Sequence, residues 1–314
     1  MRTAGSLLGE DLAEAIPSGD EGAPRGRGRS TFGLSRWAAT GFLTPSIVLI
    51  GVFLAFPAIW TLYLGITNYT LFGFTAAHPH IVGTQNYSHA VSNPEFLNSL
   101  RVTVVYVLSS AVIGQCVLGF ALAWKLRDWH SWVRQALEGL VIVAWIVPSV
   151  VVAFLWIAYL DPTGTVDRIG GVGINWLLHY PLQSLVVFNV WRGTAFSMML
   201  FAAAMQTVPP SYLETARLAG ASGWAQLRDI ILPSTKGHIL TDLLLITLWT
   251  FNDFTPYLLT QGGPIHQTDV LGVYVYQQAF NVGAMGYGAA ISTIMLVINL
   301  LIAVVYLRLL RRRT

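Results

Sequence analysis

Residues 40–66 read TGFLTPSIVLIGVFLAFPAIWTLYLGI, a continuous run without Asp, Glu, Lys or Arg. A helix needs about 20 mostly apolar residues to cross the hydrocarbon core of a bilayer, and this run is longer than that. Buried helices of soluble domains rarely continue so far without a charge. The segment therefore predicts a transmembrane helix and an all-α integral membrane protein.

The composition of the whole chain agrees with this prediction. Of the 314 residues, 54% are hydrophobic and only 11% are charged, whereas soluble domains carry about 25% charged residues. Prolines inside membrane spans are tolerated because neighbouring helices can satisfy the freed carbonyls, so we do not expect Pro45, Pro57, Pro148 or Pro256 to end a span. The predicted spans are 40–66, 102–124, 138–160, 183–206, 238–260 and 286–308.

The polar ends of the chain and the basic residues predict the topology. Residues 1–36 are rich in Gly, Pro, Ser and Arg without an apolar period, which predicts a disordered cytoplasmic tail before a membrane domain at 37–314. Of the 18 Lys and Arg residues, all but Arg101, Arg168 and Arg192 flank the spans on one side. Positive charge stays inside, so we expect a multi-pass membrane protein with both termini cytoplasmic. This distribution at span ends also disfavours a nucleic-acid partner.

The loop between spans 4 and 5 carries the most specific pattern, PPSYLETARLAG at 209–220. Ser211 and Glu214 have capping-box spacing, which predicts a short helix beginning at Tyr212, and Gly220 is placed to end it. Ser222 then opens a second helix that Pro233 closes. One face of this helix-turn-helix would present Tyr212, Leu213, Ala216 and Ala219. An amphipathic element lying on the bilayer surface is the alternative interpretation.

The same loop resembles a known family. Glu214-Thr215-Ala216, then Gly220, then Leu232-Pro233 are similar to the E-A-A…G…I-x-L-P loop of ABC importer permeases, with Thr215 in place of an Ala. In that family the loop docks in a groove of the ATPase subunit. The resemblance therefore implies a coupling role for Tyr212, Leu213, Glu214, Ala216, Gly220 and Pro233.

Further segments narrow the resemblance to the carbohydrate-uptake branch, in particular to its maltose-type F/A subunit. The segments are 82–87 (VGTQNY), 161–164 (DPTG), 260–264 (TQGGP) and the run from Tyr276 to Ala290. The resemblance implies a location in the bacterial cytoplasmic (inner) membrane. It also implies three kinds of partner: a second homologous permease subunit, two ATPase subunits and an extracytoplasmic solute-binding protein. It also implies that this chain is a transport subunit and not an enzyme, without a cofactor of its own, and that ATP and Mg²⁺ bind the partner ATPase.

Two charges inside the spans point to a solute pathway. An Arg at a helix centre costs about 2.5–3.5 kcal/mol on insertion scales, so Arg192 in span 4 needs a partner or a wet cavity. Asp253 in span 5 lies at a similar depth, roughly 10–14 Å from the outer surface at a 1.5 Å rise per residue. The two residues either pair with each other or face the hydroxyls of a solute.

The resemblance adds positions to this pathway. Asn189-Val190-Trp191-Arg192-Gly193 with Phe196 is similar to the N-x-W-x-G segment that lines the sugar site of maltose-type permeases, and 251–254 (FNDF) resembles the matching segment of span 5. Aromatic residues there either stack on a sugar or pack against lipid and core. The candidate pathway residues are Asn189, Arg192, Gly193, Phe196, Trp249, Asn252 and Asp253.

The sequence gives little support for a metal site, an enzyme active site or a passive channel. His78, His80 and His89 fall in one loop without Cys or a set of carboxylates, so no metal site is predicted. A membrane-embedded enzyme would need a catalytic cluster in the spans, and a passive channel would leave the 209–233 loop without a role. The predicted solute is a sugar or sugar-like di- or oligosaccharide, with glycerophosphate-type and other polar solutes as alternatives.

Overall fold

The structure is a computed structural model that describes residues 36–171 and 173–311. The predicted tail, 1–36, lies outside the described residues except for Arg36, which begins the first helix. All regular secondary-structure elements in the described part are helices, and its one β-type contact is an isolated bridge between Thr67 and Ile81. The all-α prediction is therefore confirmed. The chain divides into two compact units at the Phe56–Pro57 bond.

The helices follow one another along the chain with short connections. They are α1 (Arg36–Ile50), α2 (Phe56–Gly65), α3 (Phe74–Ala77), α4 (Gln85–Ser92), α5 (Pro94–Tyr106), α6 (Cys116–Leu126), α7 (Ser131–Ile146), α8 (Ser149–Leu160), α9 (Thr165–Gly170), α10 (Trp176–His179), α11 (Pro181–Gln206), α12 (Pro210–Leu218), α13 (Gly223–Gln226), α14 (Leu232–Phe251), α15 (Thr255–Thr260), α16 (Leu271–Tyr276) and α17 (Met285–Arg311). Wider π-helical segments lie at Gly51–Ala55, Val107–Gln115, Leu227–Ile231 and Gln277–Asn281.

Five helical stretches of the described chain are long and apolar enough to cross a bilayer. They are Thr40–Gly65, Pro94–Leu126, Ser149–Gly170, Pro181–Gln206 and Met285–Arg311. The predicted fifth span, 238–260, is wrong as a continuous helix: α14 ends at Phe251, and α15 begins only at Thr255. Pro256 explains the break, because its ring lacks an N–H and would clash with the carbonyl of Asn252 in a continued helix.

Span 3 is broken in the same way. The prediction of one helix over 138–160 is wrong, because α7 ends at Ile146 and α8 begins at Ser149. Val147 has ψ 129°, the extended conformation that the ring of a following proline imposes. Pro148 is thus a helix boundary, whereas Pro45 lies inside α1 as predicted.

Helix α11 lies at the centre of the second unit and packs against α6, α7 and α14. At one end of α11, Met198 and Phe201 belong to an apolar cluster with Cys116 and Ile246. At its other end, Leu185 and Phe188 belong to a second apolar cluster. The residues of α11 between these two clusters include Asn189, Arg192 and Gly193, so a polar layer lies between two apolar layers.

The connection after α11 confirms one helix stop and corrects one start. Helix α12 begins at Pro210, two residues before the predicted Tyr212, and its N-terminus has no side-chain cap. The prediction of a capping box at Ser211 and Glu214 is therefore wrong. Pro210 suits the first position of a helix, so the helix begins before Ser211 could cap it. Gly220 ends the helix as predicted: its φ is +76°, and the N–H of Ala221 donates to the carbonyl of Ala216 at 2.9 Å, as in a Schellman motif.

The second helix of this connection begins as predicted but does not end at Pro233. Ser222 caps it, with its Oγ accepting a hydrogen bond from the N–H of Ala225 at 3.2 Å. The chain then stays helical through α13, the π-helical segment Leu227–Ile231 and α14. A widened turn accommodates a residue that cannot donate to the i−4 carbonyl, so Pro233 lies in the first turn of α14 and does not close the helix.

Candidate functional site

An ion pair joins α11 to the break that follows α14. Nη1 of Arg192 lies 3.4 Å from Oδ2 of Asp253, and the two side chains are 25% and 11% exposed. The same Nη1 donates to Oγ1 of Thr255 at 3.1 Å. Oδ1 of Asp253 accepts from the backbone N–H of Thr255 at 3.0 Å and from its hydroxyl at 2.6 Å. Thr255 therefore fixes the carboxylate, which in turn orients the guanidinium.

This ion pair borders a small cavity in the polar layer. The cavity has a volume of about 40 Å³ and is lined by Gln115, Trp145, Asn189, Arg192, Gly193, Phe196, Ile246, Trp249, Thr250 and Asp253. A water needs about 10–15 Å³ of such space, so the cavity holds about three waters or one small chemical group. Six of the seven predicted pathway residues meet here, and their role in solute passage stays a prediction.

Two amide side chains supply hydrogen-bond acceptors to the cavity. Nδ2 of Asn189 donates to Oγ of Ser110 at 2.7 Å and to Oγ1 of Thr250 at 3.3 Å, and Nε2 of Gln115 donates to the carbonyl of Asn189 at 2.9 Å. Within the described chain, neither Oδ1 of Asn189 nor Oε1 of Gln115 accepts a hydrogen bond. A solute hydroxyl could donate to either oxygen.

Gly193 contributes by lacking a side chain. A Cβ at this position would overlap the amide group of Gln115. The glycine therefore allows the Gln115 side chain to lie directly against the backbone of α11. This is a physical reason for a glycine four residues after Asn189.

Three aromatic rings form one wall of the cavity. The ring centroids of Trp145 and Phe196 are 6.1 Å apart, those of Trp145 and Trp249 are 6.0 Å apart, and those of Phe196 and Trp249 are 5.7 Å apart. The rings thus pack on one another and also line the cavity, and stacking on a sugar stays a prediction. The two pairs that include Trp249 are edge-to-face, an arrangement that aromatic rings prefer.

Asn252 is the predicted pathway residue that the structure places elsewhere. Its side chain exchanges two 3.0 Å hydrogen bonds with Asn299 of α17. Because α14 ends at Phe251, Asn252 and Asp253 leave the helix in different directions and their side chains reach different neighbours.

The predicted coupling loop presents its residues on two faces of α12. Leu213 and Ala216 are half-buried, and Leu213 packs against the apolar cluster of Met198 and Phe201. Tyr212, Glu214, Gly220 and Pro233 are exposed. The two most exposed apolar side chains of the loop, Leu218 at 91% and Trp224 at 65%, were not among the predicted coupling residues. The spacing of three residues from Tyr212 through Thr215 to Leu218 places Leu218 on the exposed face of α12, whereas no local pattern marks Trp224.

A charged cluster joins this loop to the connection between α6 and α7. Asp128 lies 3.1 Å from Nη2 of Arg127 and 4.0 Å from Nη2 of Arg217 on α12. Hydrogen bonds from Arg127 lower the pKa of Asp128 below its ordinary value, so the carboxylate stays ionised. A cavity of about 380 Å³ separates these groups from the end of α11. We call this end of the helices, which also carries Lys125, Arg228 and Arg308, the basic end.

Comparison with known proteins identifies the family. Residues 115–314 match the pattern of the family described as the binding-protein-dependent transport system inner membrane component. The chain belongs to this family. It is therefore a permease, a transport subunit of an inner-membrane ABC transporter.

Full-length relatives agree with this assignment. The permease is 31% identical over 275 residues to the inner membrane ABC transporter permease protein YcjO of Escherichia coli (strain K12), covering 82% of this chain and 88% of the relative. It is 26% identical over 292 residues to the sulfoquinovosyl glycerol transport system permease protein SmoG of Agrobacterium fabrum, covering 88% and 92%.

A solved structure shows the same fold. The crystal structure of a bacterial ABC transporter involved in the import of the acidic polysaccharide alginate matches the permease with a TM-score of 0.76. The match covers 88% of this chain and 96% of that chain at 22% sequence identity. At this identity the likeness shows the fold alone.

The permease site contains groups that sequence patterns did not reveal. Gln115 reaches the cavity from the π-helical segment before α6, and Trp145 reaches it from α7. Thr250 lies on α14, about one turn before Asp253, and lines the same cavity. No local motif marks these residues; an intramembrane Gln was the available signal for Gln115. Among the described residues, no group of three or more His, Cys, Asp or Glu is placed to hold a metal ion.

Proposed function

We propose that this permease forms half of the translocation pathway of an ATP-driven importer for a sugar or sugar-like di- or oligosaccharide. The observation that carries the proposal is the cavity in the polar layer. It combines an aromatic wall, free amide oxygens and an ion pair at the centre of a membrane helix bundle. Aromatic faces accept the C–H faces of a sugar ring, while fixed polar groups select its hydroxyls. The relative SmoG, a sulfoquinovosyl glycerol transport system permease protein, supports this choice of solute.

The small volume of the cavity supports a second permease subunit as a partner. A space of about 40 Å³ encloses one substituent of a sugar and not a whole disaccharide. In the proposed assembly, a homologous permease supplies the facing half of the site. An extracytoplasmic binding protein delivers the solute to the end of the bundle opposite the basic end.

The loop at the basic end supports coupling to ATPase subunits. Leu218 and Trp224 project apolar side chains from the exposed face of the α12–α13 connection, and exposed large apolar groups mark sites of protein interaction. We assign this face to the ATPase, which would bind ATP and Mg²⁺. The basic end is then cytoplasmic, in agreement with the positive-inside rule.

The test is reconstitution of the assembled complex in proteoliposomes. The permease is co-expressed with the transporter chains encoded beside its gene, and uptake of labelled oligosaccharides is measured with and without ATP on the basic-end side. We expect ATP-dependent uptake that requires the binding protein. Uptake that proceeds equally without ATP would instead support a passive channel.

A loop variant and a matched control complete the test. Leu218→Glu should lose the ATPase from the purified complex, because a charge replaces an apolar contact. Arg308→Glu changes an exposed charge at the same end but on α17, outside the α12–α13 connection, so this control should retain the ATPase. Retention of the ATPase by Leu218→Glu would contradict the assigned docking face.

A further inference from the structure

The guanidinium of Arg192 has more donors than the protein uses. An arginine carries five N–H donors in a planar fork. Nη1 makes both of its contacts, one to Asp253 and one to Thr255. Nε and Nη2 make no hydrogen bond to any described residue, so the edge of the fork that they share is unoccupied.

The carboxylate of Asp253, by contrast, is well supplied with donors. It accepts two hydrogen bonds from Thr255, at 3.0 and 2.6 Å, and one long contact of 3.4 Å from Arg192. Both hydrogen bonds from Thr255 go to Oδ1, so the carboxylate uses only one long contact from the guanidinium, between Nη1 and Oδ2. The other N–H groups of Arg192 can therefore donate to a second acceptor.

Two spaces border Arg192, and the smaller one offers more partners to a polar acceptor. The second space that Arg192 borders has about 200 Å³ and is lined chiefly by apolar side chains, among them Leu118, Val141 and Met198. Its threonine, Thr194, already donates to the carbonyl of Val190. The cavity of about 40 Å³ adjoins Arg192 on the side of Asn189 and Gln115 and has the size of one small group.

We propose that this cavity binds the anionic substituent, a carboxylate or sulfonate, of an acidic saccharide, and that Arg192 determines this specificity. The inference rests on the proposed function and names its substrate class. A carboxylate with its two oxygens, or a tetrahedral sulfonate with two of its three oxygens, can accept from Nε and Nη2 together, and such bidentate pairs are stronger than single hydrogen bonds. The free oxygens of Asn189 and Gln115 accept from neighbouring sugar hydroxyls, while the wall of Trp145, Phe196 and Trp249 contacts the ring.

A neutral hydroxymethyl group would use this site poorly. It offers one oxygen to an unoccupied two-donor edge and leaves a donor without a partner. Sites built to hydrogen-bond a group discriminate strongly against solutes that lack it, because the buried polar group stays unpaired. The distinction between acidic and neutral sugars should therefore depend on Arg192 and much less on the aromatic wall.

Direct binding to the purified transporter complex, without the binding protein, tests the inference. The probes are three glycosides that differ only at C6: methyl β-glucoside, methyl β-glucuronide and the matching 6-sulfonate. Saturation-transfer NMR gives the concentration of half-saturation for each. We expect the wild type to favour both anionic probes at least about tenfold, the range of a charge-assisted hydrogen bond.

Variants assign the preference to the arginine. Arg192→Gln should lower the affinity for both anionic probes at least about tenfold and leave the neutral probe within about twofold. Arg192→Lys keeps the charge but loses the fork, so it should recover only part of the preference. Asp253→Asn keeps an acceptor for Thr255 and removes a negative charge, so binding of the anionic probes should hold or strengthen. Arg168→Gln, an exposed arginine outside this site, is the control.

The outcomes separate this inference from the proposed function. If no probe binds the wild-type complex although labelled oligosaccharides are taken up with ATP, this inference alone is overturned. If the oligosaccharides are not taken up either, the saccharide function itself is overturned. If all three probes bind alike, or if Arg192→Gln weakens the neutral and anionic probes equally, the site binds sugars without selecting an anion. Preference for only one of the two anionic probes would support the inference and identify the anionic substituent as a carboxylate or as a sulfonate.

Discussion

Nη1 of Arg192 lies 3.4 Å from Oδ2 of Asp253, and both residues border one cavity between the apolar layers of the helix bundle. The sequence left two alternatives, an ion pair or a polar lining of the pathway. The structure shows the ion pair, because the break after Phe251 turns Asp253 towards α11 while Thr255 binds its second oxygen. That the pair lines a solute pathway stays a prediction.

Neutralising this pair should impair uptake more than assembly. Removing one partner of a fully buried pair costs about 3–5 kcal/mol, but Arg192 is 25% exposed and Thr255 also supports the pair. We therefore expect Arg192→Leu and Asp253→Leu to give near-normal complex yield in detergent and strongly reduced uptake. The double variant should not recover uptake. Full recovery of both quantities in the double variant would show that the pair is only structural.

Gly193→Ala should disturb the site through Gln115. The new Cβ would overlap the Gln115 amide, which must leave its hydrogen bond to the carbonyl of Asn189. We expect solute uptake to fall at least about tenfold, since a small displacement of a positioned group can have that effect. Combining Gly193→Ala with Gln115→Ala removes the overlap, so the double variant should be thermally more stable than Gly193→Ala alone. A Gly193→Ala variant with unchanged uptake would contradict this role of the glycine.

Gly220→Val should uncouple the ATPase through a strained backbone. Gly220 has φ +76°, a conformation that is unfavourable for a β-branched residue and tolerated by asparagine. Gly220→Val should therefore distort the end of α12, so that ATP hydrolysis loses its dependence on solute and uptake fails. Gly220→Asn is the matched control and should retain coupled transport. Loss of coupling in both variants would point to the glycine's size and not to its backbone angle.

Cysteine labelling from outside the cell tests the topology. The native cysteine, Cys116, is buried and is first replaced by Ala. Thr268 would be a poor reporter at the end opposite the basic end because it is fully buried, whereas Ile265 is 87% exposed. A membrane-impermeant maleimide should label Ile265→Cys in intact cells and spare Ser222→Cys until the membrane is opened. Labelling of Ser222→Cys from outside would overturn the assigned orientation.

The buried Asp269, in the loop between α15 and α16, should make stability depend on pH. Burial raises the pKa of Asp269 from 3.8 to about 6, against the opposing hydrogen bond from His266, and Glu95 raises it further. Because the folded pKa lies above the unfolded one, the folded state binds more protons between these values. Its stability therefore falls as pH rises from about 4 to above 6.

The Asp269→Asn variant isolates this effect. The asparagine cannot ionise, so the thermal midpoint of the wild type should fall more steeply between pH 5 and pH 7.5 than that of the variant. His266→Ala removes a group that favours the ionised carboxylate of Asp269. In this variant the decrease of the thermal midpoint should therefore extend to higher pH than in the wild type. Parallel profiles for wild type and Asp269→Asn would rule out Asp269 as the titrating group.

Local physical chemistry alone determined much of this protein. Apolar runs longer than a bilayer is thick predicted membrane helices, and flanking arginines and lysines predicted an orientation. The stop at Gly220 and the cap at Ser222 were also readable, because each is set by hydrogen bonds within a few residues. The spacing of Glu214, Gly220 and Pro233 was enough to indicate the family.

Only the tertiary structure decided how these parts meet. The breaks at Pro148 and before Pro256 depend on whether a neighbour satisfies the freed carbonyls, which the sequence of one span does not state. Gln115, Trp145 and Asp253 reach one cavity from separate helices, and Asn252, next to Asp253 in the chain, reaches Asn299 instead. Such contacts arise from the rotation and depth of packed helices, which are set by the fit of whole apolar surfaces and not by any short run of residues.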